Sequence, residues 1–253
     1  MHSAQLLKVA EQIRLGAYFY FMKNLVLLLS FILPASLFAG DENSEWFECV
    51  IRDTDGYVFV RSGPGKENPV IDTVFESWFF YVIGDTSSNW LRVQNPINGE
   101  QGYMHKSRVK FFLQLDSVSQ HNLVADAFNE IIRAEKKGDS YYRNEVYEGK
   151  YIPGYEAFQK MFCVKPDTSL LCLYFQTLSY ETNSADEGKD WASAAMWLCR
   201  PAEVKSAICS LNKSLRLCAI DSIKTGMAMS GKEDDYTPQK LKAMYAELDA
   251  PCE

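Results

Sequence analysis

Histidine is scarce in this sequence, with three in 253 residues, and His2 lies in an N-terminal stretch that reads as a leader. The remaining two, His105 and His121, are too few for a zinc amidase centre, which needs several His and carboxylate ligands and an open position. No histidine follows any cysteine of the C-terminal half. A Cys/His peptidase, whose base generally comes later in the chain than its nucleophile, is therefore poorly supported. His105 and His121 are instead expected to be structural, at a strand end and near a helix start. No Gly-x-Ser-x-Gly elbow, phosphate loop or dinucleotide fingerprint occurs. No Cys-x-x-Cys occurs either, which argues against a zinc ribbon or a thioredoxin-type redox pair. Positive charge is also short: 26 Lys+Arg stand against 33 Asp+Glu, a net charge of −7. Nucleic acid is not expected as a partner, because phosphate-backbone binding needs a clustered basic surface. The acidic stretches "SYETNSADEGKD" and "SGKEDDY" lack the spacing of a dedicated calcium loop. The expectation is no catalytic residue, no metal and no cofactor.

Long apolar runs are missing as well. The run from Leu25 to Leu33 is too short to span a bilayer, which takes about 20 such residues. It sits inside "MKNLVLLLSFILPASLFAG", with Lys23 at its start and small residues at its end. That is the order of a secretory signal peptide, Met22–Ala39, with cleavage after Ala39. Met22 makes a natural start, so residues 1–21 are read as an over-extended beginning and 1–39 as leader. The predicted location is periplasmic or secreted, without an integral membrane span in the mature chain. All seven cysteines lie in the exported part, where an oxidising compartment favours disulfides. Seven is odd, so at least one thiol stays free or pairs between chains. The bridges are expected within the C-terminal half, with Cys49 as the buried odd one.

What remains divides into two textures. From Trp46 to about Phe112, short alternating apolar runs are separated by Asn, Pro and Gly turns: "FECVIRD", Tyr57–Arg61, "VIDTVF", "FFYVIG", "NWLRV" and "QGYMH". Short strands at such spacing predict a small barrel. The ordered words "GYVFVRSGPG", "VIDTV", "YVIGD", "NWLRVQ" and "GEQGYMHKSRV" resemble the bacterial SH3 domain over residues 46–112. The resemblance implies that Arg61 projects where a strand leaves the barrel into a long exposed loop, with Gly63-Pro64-Gly65 turning the chain. The sequence departs from that family at Phe59, where a polar asparagine is usual.

Residues 113–253 read as helices. "SVSQHNLVADAFNEIIRAEKKG" spaces its apolar residues at three and four, with Gly138 as a stop. Asp167 precedes "TSLLCLYFQTLSY", Asp186 or Asp190 precedes "WASAAMWLC", Pro201 opens "PAEVKSAICSL", "KSLRLCAIDSIKTGMAM" follows, and Thr237-Pro238 opens "TPQKLKAMYAEL". "GDSYYRNEVYEGKYIPGYEAF" reads as a tyrosine-rich irregular stretch packed along the helices. The predicted fold class is therefore α+β multidomain, a small SH3-like β-barrel followed by an all-α helical bundle or short helical solenoid.

The candidate ligand-binding or interdomain residues are Tyr57, Phe59, Arg61, Trp78, Phe79 and Tyr81. In "WFFYVIG" the alternation puts Phe80 and Val82 on one face and Phe79 and Tyr81 on the other. With Phe80 and Val82 as core, the second pair forms either a ligand groove or the seam with the helical half. Trp90 is read as core. The first functional reading is a non-enzymatic binding protein of the bacterial cell envelope; the resemblance implies a barrel that contacts cell-wall peptide or another extracytoplasmic ligand, with peptidoglycan or an envelope protein as partner. The alternative is a protein-interaction or inhibitor/immunity module acting through the helical half, which is acidic at −5 from 16 basic and 21 acidic residues. A third is an unrecognised cell-wall hydrolase using two of Glu145, Glu148 and Glu156 in their aromatic setting.

Overall fold

Strand alternation sorts the apolar residues of residues 46–112 onto two sides, and two hydrophobic cores result. The computed structural model describes residues 45–180, 187–230 and 238–252. The expected leader Met22–Ala39, the expected over-extended start, half of the first acidic stretch and nearly all of the second lie outside the described residues.

Seven strands form one antiparallel sheet: β1 (Trp46–Ile51), β2 (Tyr57–Arg61), β3 (Val70–Phe75), β4 (Phe80–Ile83), β5 (Trp90–Gln94), β6 (Gln101–His105) and β7 (Val109–Phe111). Their spatial order is β3-β2-β6-β5-β4-β1-β7. Cys49, Ile51, Val58, Val60, Phe80, Val82, Leu91, Val93 and Met104 fill the core of this strand region. Val50 and Phe79 point the other way and belong to the core of the helices. One sheet thus serves two cores, as period-two alternation permits.

Among the described residues eight α-helices follow: α1 (Ser117–Lys137), α2 (Ser140–Val146), α3 (Ile152–Val164), α4 (Thr168–Thr177), α5 (Gly188–Cys199), α6 (Pro201–Ser210), α7 (Lys213–Ser230) and α8 (Pro238–Asp249). The chain is therefore α+β, a strand region and then a helical region. Asp116 caps α1 by accepting from the N–H groups of Val118 and Ser119, and Gly138 ends it at φ 72°. Asp167 caps α4 in the same way through Ser169 and Leu170. Of the two acids proposed to open α5, Asp190 does not do so. Glu187 holds the cap position without a side-chain bond, Asp186 lies outside the described residues, and Asp190 sits in the first turn, accepting from Ser222 Oγ of α7 at 2.5 Å.

The tyrosine-rich stretch is helical rather than irregular. α2 runs into a π-helical turn at Tyr147–Tyr151 and then α3, with Pro153 in the first turn of α3. Tyr151 and Tyr155 are packed, the Phe128 ring meeting Tyr151 and Tyr151 in turn meeting Tyr155, whereas Tyr141 is exposed. Two disulfides, Cys163–Cys199 and Cys209–Cys252, both lie in the helical region. Cys49, Cys172 and Cys218 are free, and Cys49 is buried. Among the described residues no helix is long and apolar enough to cross a membrane.

Candidate functional site

The six candidate residues separate into two groups. Trp78, Phe79 and Tyr81 pack against the helices. Phe79 is 2% exposed and its ring lies 6.0 Å from that of Phe112. Its N–H donates to the Gly149 carbonyl of the π-helical turn at 3.2 Å. The Tyr81 hydroxyl donates to Glu156 of α3 at 2.7 Å. Lys150, itself buried, places its ammonium over the Trp78 ring and donates to Asp126 of α1 at 2.9 Å. Glu48 of β1, facing the same way as Tyr81, pairs with Lys160 of α3. These side chains form the seam between strands and helices.

Tyr57, Phe59 and Arg61 lie on β2, where Val58 and Val60 turn inward and the other three turn outward. Tyr57 and Phe59 remain 41% and 43% exposed, with ring centroids 5.3 Å apart. They line a cleft of about 260 Å³ with Asp53, Asp55, Lys66, Trp90, His105 and Arg108. Trp90 is not core. Leu91 and Val93 take the inward positions of β5, which leaves Trp90 outward and edge-on to His105 at 5.3 Å. The alternation within "NWLRV" carries that signal. Asp53 is neutralised by an ion pair with Arg108 and also accepts from the Asp55 N–H. Arg61 donates to the Asn68 carbonyl at 2.7 Å, which holds the loop after β2 against the strand.

Strand order is what gathers these residues. Arg61 of β2 stands opposite Tyr103 of β6, and Tyr103 stands opposite Arg92 of β5. Trp90 stands opposite His105, and two residues along the antiparallel register Phe59 comes beside His105. Gly102 lets β6 pass this close, because a Cβ there would lie 2.6 Å from the Arg61 carbonyl oxygen and from Val60.

Two of the three glutamates considered for hydrolysis, Glu145 and Glu156, are engaged by tyrosines. Glu156 accepts from Tyr81, and Glu145 accepts from Tyr141, whose phenol it pushes above the ordinary tyrosine range. His121 pairs its Nδ1 with Asp167 at 2.8 Å. Among the described residues no group of three or more His, Cys, Asp or Glu is placed to hold a metal ion. The cleft sets half-exposed rings beside charged groups of both signs, Arg61, Lys66 and Arg108 with Asp53 and Asp55. No protein-family model, curated protein or solved structure matches the chain.

Proposed function

We propose that this chain is an exported, non-enzymatic binding protein of the bacterial cell envelope. In this reading the strand region is an SH3-like barrel, the helices brace it, and the ligand docks on the outward face of β2, β6 and β5. The observation that carries the reading is the pair Tyr57 and Phe59, large rings left open in a cleft while Tyr81 of β4, three strands away, is covered by α3. Exposed apolar side chains grouped in a concave site mark contact surfaces more often than single exposed ones do. Two disulfides fit an oxidising location.

The test is co-sedimentation of the purified protein with peptidoglycan, beside a Tyr57→Ser/Phe59→Ser variant of unchanged circular dichroism. Pelleting of the native protein and not of the variant supports the reading; absence of pelleting by the native protein overturns its wall-binding part.

One observation favours the alternative, an interaction module acting through the helices. Trp191 and Leu198, seven residues apart on α5, are both exposed, and that spacing puts them on one helix face. A protein partner captured by the native chain but not by a Trp191→Ser/Leu198→Ser variant would move the function there.

A further inference from the structure

The outward face of β3, β2, β6 and β5 extends well beyond the cleft, and its composition is unusual for an acidic chain. Phe75 of β3 stands opposite Tyr57, and Thr73 opposite Phe59. Across the sheet the row of Phe59, His105 and Trp90 lies next to a row of Arg61, Tyr103 and Arg92. Phe75 is 56% exposed. No carboxylate occupies an outward position on these four strands. Of the acids nearby, Asp53 and Asp55 on the β1–β2 turn line the cleft itself and Glu67 follows Lys66 in the loop after β2; Asp53 is already paired with Arg108.

Arg61 and Arg92 flank Tyr103 one strand away on either side, so their backbones are ~9.5 Å apart. Each guanidinium is held by a neutral acceptor: the Asn68 carbonyl at 2.7 Å, and Gln101 Oε1 at 2.6 Å. Both are therefore oriented but not neutralised. Lys66 adds a third positive charge at the cleft rim. On a chain of net charge −7, a ring-bearing face with two uncompensated arginines selects anions locally against a repulsive background.

From this face we infer that the ligand is a carboxylated polysaccharide. Resting on the binding-protein reading above, the inference names the ligand class for that site. Aromatic rings bury the apolar C–H faces of sugars while leaving hydroxyls to water, and the arginine forks bind carboxylates in a bidentate fashion. An extended peptide fits less well, because strand addition needs free backbone groups at a sheet edge. At the near edge, β3, the Thr73 N–H is taken by Asp72 Oδ1 at 2.7 Å and the Phe75 carbonyl by the Trp78 N–H at 3.2 Å.

The experiment is calorimetric titration of the purified protein with polygalacturonate, its fully methyl-esterified neutral form, and oligoglutamate of matched charge. Binding of polygalacturonate is expected, weakened about tenfold or more by methyl esterification, by Arg61→Gln/Arg92→Gln and by rising salt. Tyr57→Ser/Phe59→Ser is expected to weaken it as well, which charge attraction alone would not produce. Equal binding of oligoglutamate would make the ligand an acidic peptide and overturn the inference. Equal binding of the neutral ester, or no binding of polygalacturonate, would overturn it too. Peptidoglycan sedimentation separates the two levels: pelleting without uronan binding leaves the wall-binding reading standing and removes only the ligand class.

Discussion

The Tyr81 hydroxyl and the Glu156 carboxylate, 2.7 Å apart, join β4 to α3 across the seam. Burial and the neighbouring Glu156 both raise the Tyr81 phenol above its ordinary range. The unfolded chain would therefore lose this proton first as pH rises, at about 10. Above that pH the unfolded state binds fewer protons than the native one, so stability falls on the alkaline side. Tyr81→Phe is expected to cost about 2 kcal/mol at neutral pH, the range for a hydrogen bond to a charged acceptor. The variant's stability should also fall less steeply than the native protein's above pH 10. Urea unfolding at pH 7, 9, 10 and 11 measures both, and identical slopes for the two proteins would refute the coupling.

Gly149 is expected to be the least substitutable residue of the π-helical turn. A Cβ there would overlap the Trp78 ring and come 2.8 Å from Ile97, while the Gly149 carbonyl takes the Phe79 N–H. In an isolated helix Gly→Ala is favourable by about 1 kcal/mol. Here Gly149→Ala should instead destabilise by about 1–3 kcal/mol, the cost of overpacking a seam that cannot yield. A rise in melting temperature would show that the strands and helices can part without penalty.

The three free thiols should differ in reactivity. Burial, with Glu48 adding to it, pushes the Cys49 thiol well above its ordinary range, so little thiolate forms and reagent has no access. Cys172 and Cys218 are half-buried. Iodoacetamide under native, non-reducing conditions should label those two and spare Cys49 until denaturant is added. Mass spectrometry of the peptides decides, and native labelling of Cys49 would mean that the sheet core opens readily.

Much of the strand region was legible because alternation is local. "YVFVR" alone indicates that Tyr57, Phe59 and Arg61 share a face opposite Val58 and Val60, and "FFYVI" separates Phe79 and Tyr81 from Phe80 and Val82. The same rule, applied to "NWLRV", would have placed Trp90 outside the core. What alternation does not contain is which outward residues meet. Arg61, Tyr103 and Arg92 become neighbours only through the order β2-β6-β5, a non-local pairing. The stretch from Gly138 to Phe158 reads locally as irregular for a related reason. Gly149, Pro153 and Gly154 argue against a helix locally, yet Gly149 is required by Trp78, and Gly154 by Ala127, whose Cβ would be 2.9 Å from any added Cβ. Contacts distant in sequence overrode propensity there.

Asp167 connects the start of α4 to His121 of α1, and its charge should make folding sensitive to acid. Burial raises its pKa, but the Ser169 hydroxyl, His121 and the Leu170 N–H together outweigh burial and hold the carboxyl below the ordinary aspartate range. A depressed native pKa contributes stability that is present above the unfolded value, about 3.9, and is lost as pH falls through the native one. Asp167→Ala removes the cap as well as the hydrogen bond with His121 and should cost about 1 kcal/mol at pH 7. Asp167→Asn keeps the cap acceptor and removes the titration, so its stability should fall less between pH 4 and pH 2 than the native protein's does. Chemical unfolding across that range, with both variants beside the native chain, tests the assignment. If the asparagine variant loses stability as steeply as the native protein, the acid sensitivity belongs to other carboxylates, and Asp167 acts on α4 through its hydrogen bonds alone.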